Sequence, residues 1–249
     1  MNNFRPQGFN ILPMVTKNLL IINGLVFLAS MSFQNIFNYD INTNWGLYYF
    51  GSDQFKPIQL ITYMFLHGSF NHLFFNMFAF WMFGSAVENY WGAKRFLYYY
   101  LATGIGAALI QQLVTYLRIE SLSMGVDQQM LQQIIYQGHD ILQSGRNYVG
   151  DLGSINLLYN IQTIGASGSV FGILLAFGML FPNSLIYLYF AIPVKAKWLV
   201  MGYGAIELYS GIANNPGDNV AHFAHLGGML FGFILIKYWK KTDNPFNMH

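Results

Sequence analysis

The sequence predicts an all-α polytopic membrane protein with six transmembrane helices and both termini cytoplasmic. Three observations predict it. First, 54% of the 249 residues are hydrophobic and only 9% are charged, whereas a soluble domain carries about 25% charged residues. Too little charge remains to solvate a soluble body of this size. Second, six windows approach the roughly 20 apolar residues that a helix needs to cross a bilayer. Third, the basic residues divide unevenly between the two sides those windows define. Aromatic residues reach 18%, which suits lipid-facing surfaces and interfacial belts. A net charge of +2 gives no reason to expect a nucleic-acid partner, and zero Cys excludes disulfides, thiol catalysis and thiolate metal sites.

Taken in order, the first window is about 18–33, free of charge after Lys17. Ser30-Met31-Ser32 is a weak cleavage signal, and Ile36 and Phe37 continue the apolar character, so an uncleaved first span is expected. The second window is about 69–90, charged only at Glu88, and the third, about 96–117, has no charge. The fourth, about 161–181, is also uncharged. The fifth, about 198–213, holds Glu207, and the sixth, about 219–238, is uncharged until Lys237. Residues 184–193 are apolar but too short to span and end at Pro193, which reads as an interfacial or re-entrant piece. With the N-terminus inside, Arg5, Lys17, Lys94, Arg95, Lys195, Lys197, Lys237, Lys240 and Lys241 are cytoplasmic. Only Lys56, Arg118 and Arg146 lie outside, nine against three. The expected organisation is a cytoplasmic segment 1–17, one membrane domain 18–240 and a cytoplasmic tail 241–249. Residues 34–68 and 118–160 form long outer segments. In the second, Met130, Leu131, Ile134, Ile135, Ile141 and Leu142 recur at helical spacing after a possible cap at Asp127. That helix lies either on the membrane surface or on the protein's own outer face.

In this topology windows two, four and six all enter from outside, and their polar residues cluster near the outer ends. His72 and Asn76 lie in the first two turns of span two, Ser167 about six residues into span four, and His225 six residues past Asn219. At about 1.5 Å per residue, each sits roughly 5–10 Å below the outer boundary. Polar residues inside a membrane are costly and mark either function or interhelical hydrogen bonds. Several converging at one depth favour function. Gly168 and Gly172 share one face of span four, and Gly228 and Gly232 one face of span six. Such small-residue faces let two backbones approach closely. A close crossing brings the Ser167 hydroxyl within reach of His225, the contact that activates a serine at neutral pH.

Two other chemistries fit less well. A soluble nucleophile elbow requires Gly two residues after the serine, and residue 169 is Ser. A zinc site has His222 and His225 three apart, with His67, His72 and Glu88 elsewhere, but no His-Glu-x-x-His, and Glu88 falls near the inner boundary. No metal and no cofactor are expected.

These residues resemble the rhomboid family of intramembrane serine proteases. Gly165-Ala166-Ser167-Gly168 is similar to the family's Gly-x-Ser-Gly motif. His225-Leu226-Gly227-Gly228 with Gly232 is similar to its His-x-x-Gly-x-x-x-Gly motif. His72-Leu73-Phe74-Phe75-Asn76 resembles its His-x-x-x-Asn, and Gly84-Ser85-Ala86-Val87-Glu88 the usual close of that helix. The resemblance covers about 57–240. It implies a six-helix rhomboid-like bundle with Ser167 as nucleophile and His225 as general base, a dyad without a carboxylate. It also implies an oxyanion hole from His72, Asn76 and the Ser167 backbone N–H, with Gly165 lining the pocket. His222 competes for the role of base, but the glycine spacing matches from His225. Two departures stand out: Ile58-Gln59 replaces the Trp-Arg that many members carry in the first outer loop, and Phe171, which can stack on the His225 ring, replaces a Tyr found in some. The implied function is endopeptidase cleavage of single-span membrane-protein substrates near the outer face, through an acyl-enzyme. The implied location is the lipid bilayer, expected to be a bacterial cell (inner) membrane. Span five is a candidate gate for laterally entering substrate, and Glu207 reads as a protonated packing residue near mid-bilayer. The alternative is a proteolytically inactive rhomboid-like protein that binds transmembrane clients. A small transporter or channel would need broken helices or mid-bilayer ionisable residues, and only Glu207 fits.

Overall fold

The architecture follows from where caps and glycines interrupt a largely apolar chain. The structure, a computed structural model, describes residues 9–188, 191–213 and 220–242. Arg5, the outer parts of the expected segments 1–17 and 241–249, and the Asn219 start of window six lie outside the described residues. Helix α1 (Met14–Phe37) begins after Pro13 with no side-chain cap of its own. Glu88 supplies one from a distant helix: its carboxylate accepts from the N–H groups of Val15 (2.9 Å) and Thr16 (2.7 Å) and from the Thr16 hydroxyl (2.8 Å). This satisfies backbone donors that an α-helix leaves free at its first turn, and gives Glu88 a structural task. Asp40 caps the short α2 (Ile41–Trp45). A turn of helix α3 (Gln59–Thr62) runs into a 3-10 turn at Tyr63–Phe65. Ser69 caps α4 (Phe70–Trp91) by accepting from the His72 N–H at 3.1 Å. Gly92, at φ 80°, separates α4 from α5 (Ala93–Leu122).

The segment after α5 folds into α6 (Gln128–Gln143), capped by Asp127, and α7 (Asp151–Asn160). The apolar stripe of α6 turns towards α7: Ile134 is fully buried, and Asn160 and Asn156 of α7 donate to the Ile134 and Gly138 carbonyls. The two asparagines also bond each other. The helix therefore packs against the protein itself, on α7.

Helix α8 (Ser167–Leu180) is the centre of the bundle, touching α4, α5, α9 (Ala196–Ala213) and α10 (His222–Thr242). It is apolar all round, as a fully enclosed helix must be. Its own Ile173 and Ala176, together with Phe80 of α4 and Phe96 and Tyr99 of α5, have no exposed surface. By length and composition, Met14–Phe37 and Ala93–Leu122 are apolar enough to cross a membrane, and Ser167–Leu180 is a shorter apolar helix, among the described residues. Outward-facing apolar side chains, such as Leu25, Tyr209 and Ile212, are left largely exposed. Uncovered apolar surface of that kind marks an interaction face for lipid or protein.

Three expectations need correction. Residues 161–166 lie outside any helix, so Ser167 opens its helix instead of lying six residues inside it. Thr163 exchanges backbone hydrogen bonds with Leu47, and Gly165, at φ 129°, takes a conformation that suits glycine. Likewise α10 starts at His222, which makes His225 its fourth residue. The fold is not purely helical either. Residues 184–193 contribute to an antiparallel hairpin, β1 (Leu185–Leu188) with β2 (Ile192–Lys195), in which Leu185 faces Lys195 and Leu188 faces Ile192. Its β-branched and aromatic residues favour strands, and Pro193 is tolerated because a two-stranded ribbon has free edges. Residues 189–190 lie outside the described residues.

The loop between α2 and α4 is held by two glutamines, not by a Trp-Arg pair. Gln59 is fully buried, accepts from the N–H groups of Lys56 (3.1 Å) and Tyr48 (3.4 Å), and donates to the Gln54 carbonyl (3.0 Å). Gln112 of α5 accepts from the Phe50 N–H and donates to the Tyr48 carbonyl. A Gln59→Leu variant strands buried backbone groups, each costing about 1–3 kcal/mol. It is expected to be destabilised by roughly 2–4 kcal/mol in denaturant unfolding of the detergent-solubilised protein. Unchanged stability would remove Gln59 as the anchor.

Candidate active site

Ser167 is the first residue of α8, so its backbone N–H belongs to the first turn and has no intrahelical acceptor. Its hydroxyl lies 2.8 Å from His225 Nε2, across the contact between α8 and α10. The His225 ring is buried and stacks on Phe171, one turn beyond Ser167, with centroids 4.2 Å apart and planes within 7°. Phe171 is braced edge-on by Tyr203 of α9. The ring is thus held between an aromatic face and a hydroxyl.

Glycines make the crossing this tight. A Cβ on Gly228 would collide with the backbone carbonyl of Gly168, so α8 and α10 touch main chain to main chain beside Ser167. The pairing is less symmetrical than two glycine faces meeting each other. Gly168 also packs against Ala107 of α5, and Gly172 packs against Thr103 of α5. Gly232 packs against the Tyr99 hydroxyl, which donates to the Gly172 carbonyl at 2.8 Å. Helix α5 is therefore the third wall of the crossing. The neighbouring Ser169 points away and donates to the Tyr100 carbonyl, 2.8 Å distant.

His72 and Asn76 stand one turn apart on α4. A Cβ on Gly165 would come within 2.8 Å of His72 Nε2 and 3.7 Å of the Ser167 hydroxyl, so Gly165 lets the His72 ring approach the serine. Asn76 Nδ2 donates to the His72 carbonyl at 2.9 Å, which leaves its second N–H to turn elsewhere. Behind His72 lies His67, 1% exposed, with the two rings 5.0 Å apart. Burial, and then the neighbouring His72, push the His67 imidazole down to about 4 from its ordinary 6.5. The unfolded chain takes up this proton near the ordinary value, while the folded protein resists until about 4. Stability therefore falls as pH drops through that window and is flat above it. The expected loss is about 2 kcal/mol between pH 7 and pH 4.5. Thermal unfolding at the two pH values checks it: His67→Phe should flatten the dependence, and an equally steep fall in that variant would contradict the assignment.

The structure brings one unexpected residue to the site. Glu207 of α9, which the sequence reading placed near mid-bilayer and away from both motifs, has Oε2 2.8 Å from His225 Nδ1 and 2.6 Å from His222 Nδ1. The physical reason is depth: Glu207 lies six residues before Ala213, the end of α9, or about 9 Å along the helix axis. That is the depth at which Ser167 and His225 were expected. The same counting, applied to a helix running the opposite way, would have found it. Among the described residues, Glu207, His222 and His225 are also the group whose donor atoms could face a metal ion, all lying within 4.8 Å of one another. Their spacing is that of hydrogen bonds, however. Ligands on a tetrahedral zinc, with Zn–N of about 2.0–2.1 Å, stand roughly 3.3 Å apart.

A cleft of about 2140 Å³ opens beside these groups. It is lined by Ser167, His225, His72 and Asn76, and by apolar residues of α4 and α9 such as Phe75 and Trp198.

The chain matches a family model described as the rhomboid domain over residues 54–241. It is 28% identical over 188 residues to Rhomboid protein 1, mitochondrial, of Saccharomyces cerevisiae, covering 75% of this chain and 43% of that protein. It is 26% identical over 220 residues to RHOMBOID-like protein 12, mitochondrial, of Arabidopsis thaliana, covering 86% and 55%. It is 25% identical over 210 residues to Rhomboid protease AarA of Providencia stuartii, covering 81% and 58%. The chain thus spans about half the length of these curated relatives. Their names include mitochondrial proteins, so a bacterial inner membrane does not follow from the likeness. The matched stretch includes α4, α5, α8, α9 and all but the last residue of α10, which carry every side chain gathered around Ser167. On that match the chain belongs to the rhomboid family of integral membrane proteins, whose members are generally intramembrane serine proteases.

Proposed function

We infer that this protein is an intramembrane serine endopeptidase that cleaves transmembrane segments of single-span membrane proteins near the outer face. The observation that carries the reading is the 2.8 Å pair between the Ser167 hydroxyl and His225 Nε2 at the edge of a large cleft. A hydroxyl at that distance can pass its proton to the imidazole as it attacks a peptide carbonyl. The developing oxyanion is met by the free Ser167 N–H, with His72 and the second N–H of Asn76 Nδ2 as further donors. The intermediate collapses when His225 returns the proton to the leaving amine, which gives an acyl-enzyme on Ser167. Water, deprotonated by the same Nε2, then releases the acid. The reading includes the expected topology: six spans near 18–33, 69–90, 96–117, 161–181, 198–213 and 219–238, both termini cytoplasmic, flanked by segments 1–17 and 241–249. The nine-to-three distribution of basic residues supports that orientation.

The test is cleavage of a reporter single-span protein by the purified enzyme in liposomes. Wild-type protein is expected to cut within or beside the transmembrane segment, and Ser167→Ala and His225→Ala to be inactive. His222→Ala should retain cleavage; activity lost there and kept in His225→Ala would make His222 the base. A wild type that binds the reporter without cutting it would favour the client-binding alternative.

A further inference from the structure

We propose that Glu207 completes a Ser167–His225–Glu207 triad, as the positioning carboxylate that the two-residue mechanism lacks. The proposal rests on the endopeptidase reading above and departs from the carboxylate-free dyad that the family resemblance implies. Three features of the geometry carry it. First, the two nitrogens of one imidazole are both engaged: Nε2 at 2.8 Å from the serine hydroxyl and Nδ1 at 2.8 Å from Glu207 Oε2. Second, His222 Nδ1 meets the same oxygen at 2.6 Å. A carboxylate oxygen accepting from both rings places a proton on each Nδ1. With Glu207 ionised, His225 carries hydrogen on Nδ1, and Nε2 presents its lone pair to the serine O–H. Third, both groups are buried where helices pack: Glu207 on α9 is 8% exposed and His225 on α10 is 7% exposed, and Phe171 stacks on the ring from the other side.

The role follows in steps that balance. When Ser167 attacks, its proton moves to Nε2 and the ring becomes a cation, whose Nδ1–H still points at Glu207. The carboxylate stabilises that charge without taking the proton, the role of the aspartate in soluble serine proteases. When Nε2 gives its proton to the leaving amine, the ring returns to the neutral tautomer with Nδ1–H intact. His222 is the second donor on the same oxygen and holds the carboxylate in line with His225. In a membrane the arrangement has added value, because water is scarce around the ring and a fixed carboxylate replaces the solvent that would otherwise accommodate the imidazolium.

A packing role and a positioning role predict opposite orders for two variants. Glu207→Gln keeps size and removes the charge, while Glu207→Asp keeps the charge and shortens the side chain by one methylene. If Glu207 only fills space, Gln is the milder change. If it positions His225, Gln is the severe one. We expect Glu207→Gln to lower kcat about 10²–10⁴-fold with KM within threefold of wild type, and Glu207→Asp to retain at least about tenfold more activity than Gln. Rates of Ser167 labelling by a fluorophosphonate should follow the same order, with thermal unfolding checking that both variants are folded. Should Glu207→Gln not fold, Glu207→Asp decides: a folded, active Asp variant supports the carboxylate, and an Asp variant as unfolded as Gln assigns Glu207 to packing. Wild-type protein that labels at Ser167 no faster than Glu207→Gln overturns the triad alone. Wild-type protein that does not label at Ser167 overturns the endopeptidase reading, and the triad with it.

Discussion

Ser167→Ala and His225→Ala are each expected to lower cleavage by at least ~10³-fold, and the double variant to be no worse than either by more than a few-fold. The expectation follows from the geometry of one shared proton. Ser167 Oγ and His225 Nε2 are 2.8 Å apart, so neither has a partial task to perform without the other. Groups that act as a unit give strongly non-additive losses, since removing the second costs nothing once the first is gone. A residual rate above water would come from oxyanion donors and binding alone. Rates measured on a reporter substrate in liposomes check this. Losses that multiply in the double variant would mean that the two side chains act independently, which the 2.8 Å contact does not allow.

Gly228→Val is expected to cost as much through packing as those variants do through chemistry. The atoms a Cβ would meet at residue 228 are the carbonyl oxygen and carbon of Gly168, which belong to a helix backbone and cannot rotate aside. Overpacking of this kind costs typically 1–3 kcal/mol and more when the obstacle is rigid. The only relief is separation of α8 from α10, which pulls Ser167 from His225. A displacement of about 1 Å at a reacting pair can cost 10²-fold in rate. The expected result is at least a 100-fold loss of activity with a lowered melting temperature. Gly24→Ala is the matched control, because a Cβ there meets nothing within 4 Å. It should leave both quantities at wild-type levels or slightly improve stability, as alanine does for glycine in a helix. A Gly228→Val protein that melts and reacts like wild type would show that the helices do not cross as described.

Much of this arrangement is legible in the sequence because it depends on local spacing. Gly165, Ser167, Gly168 and Phe171 fall within two turns of one another, and His225 with Gly228 and Gly232 follows helical spacing. Counting from the outer ends of three windows then brings Ser167, His225, His72 and Asn76 to one depth. What is not legible depends on contacts distant in sequence. Residues 161–165 sit in an apolar window, and the Leu47–Thr163 pairing, 116 residues apart, together with the bond from the Gly165 N–H to the Tyr63 carbonyl, keeps them out of the helix. The capping of α1 by Glu88 joins residues about seventy positions apart. The 184–193 hairpin is a short apolar run whose periodicity does not separate strand from helix. Glu207 is a different case. Its depth was countable, but one carboxylate on an otherwise apolar helix names no partner until His222 and His225 are seen to face it.

The central claim is that Ser167 is a nucleophile activated by His225, and fluorophosphonate labelling tests it with no need to know a natural substrate. Wild-type, Ser167→Ala and His225→Ala proteins are incubated with the reagent in the same bilayers, and the modified peptide is located by mass spectrometry. The account predicts one phosphonyl adduct on Ser167 in the wild type and none in either variant. A label on another residue, or undiminished labelling of Ser167 in His225→Ala, would contradict it.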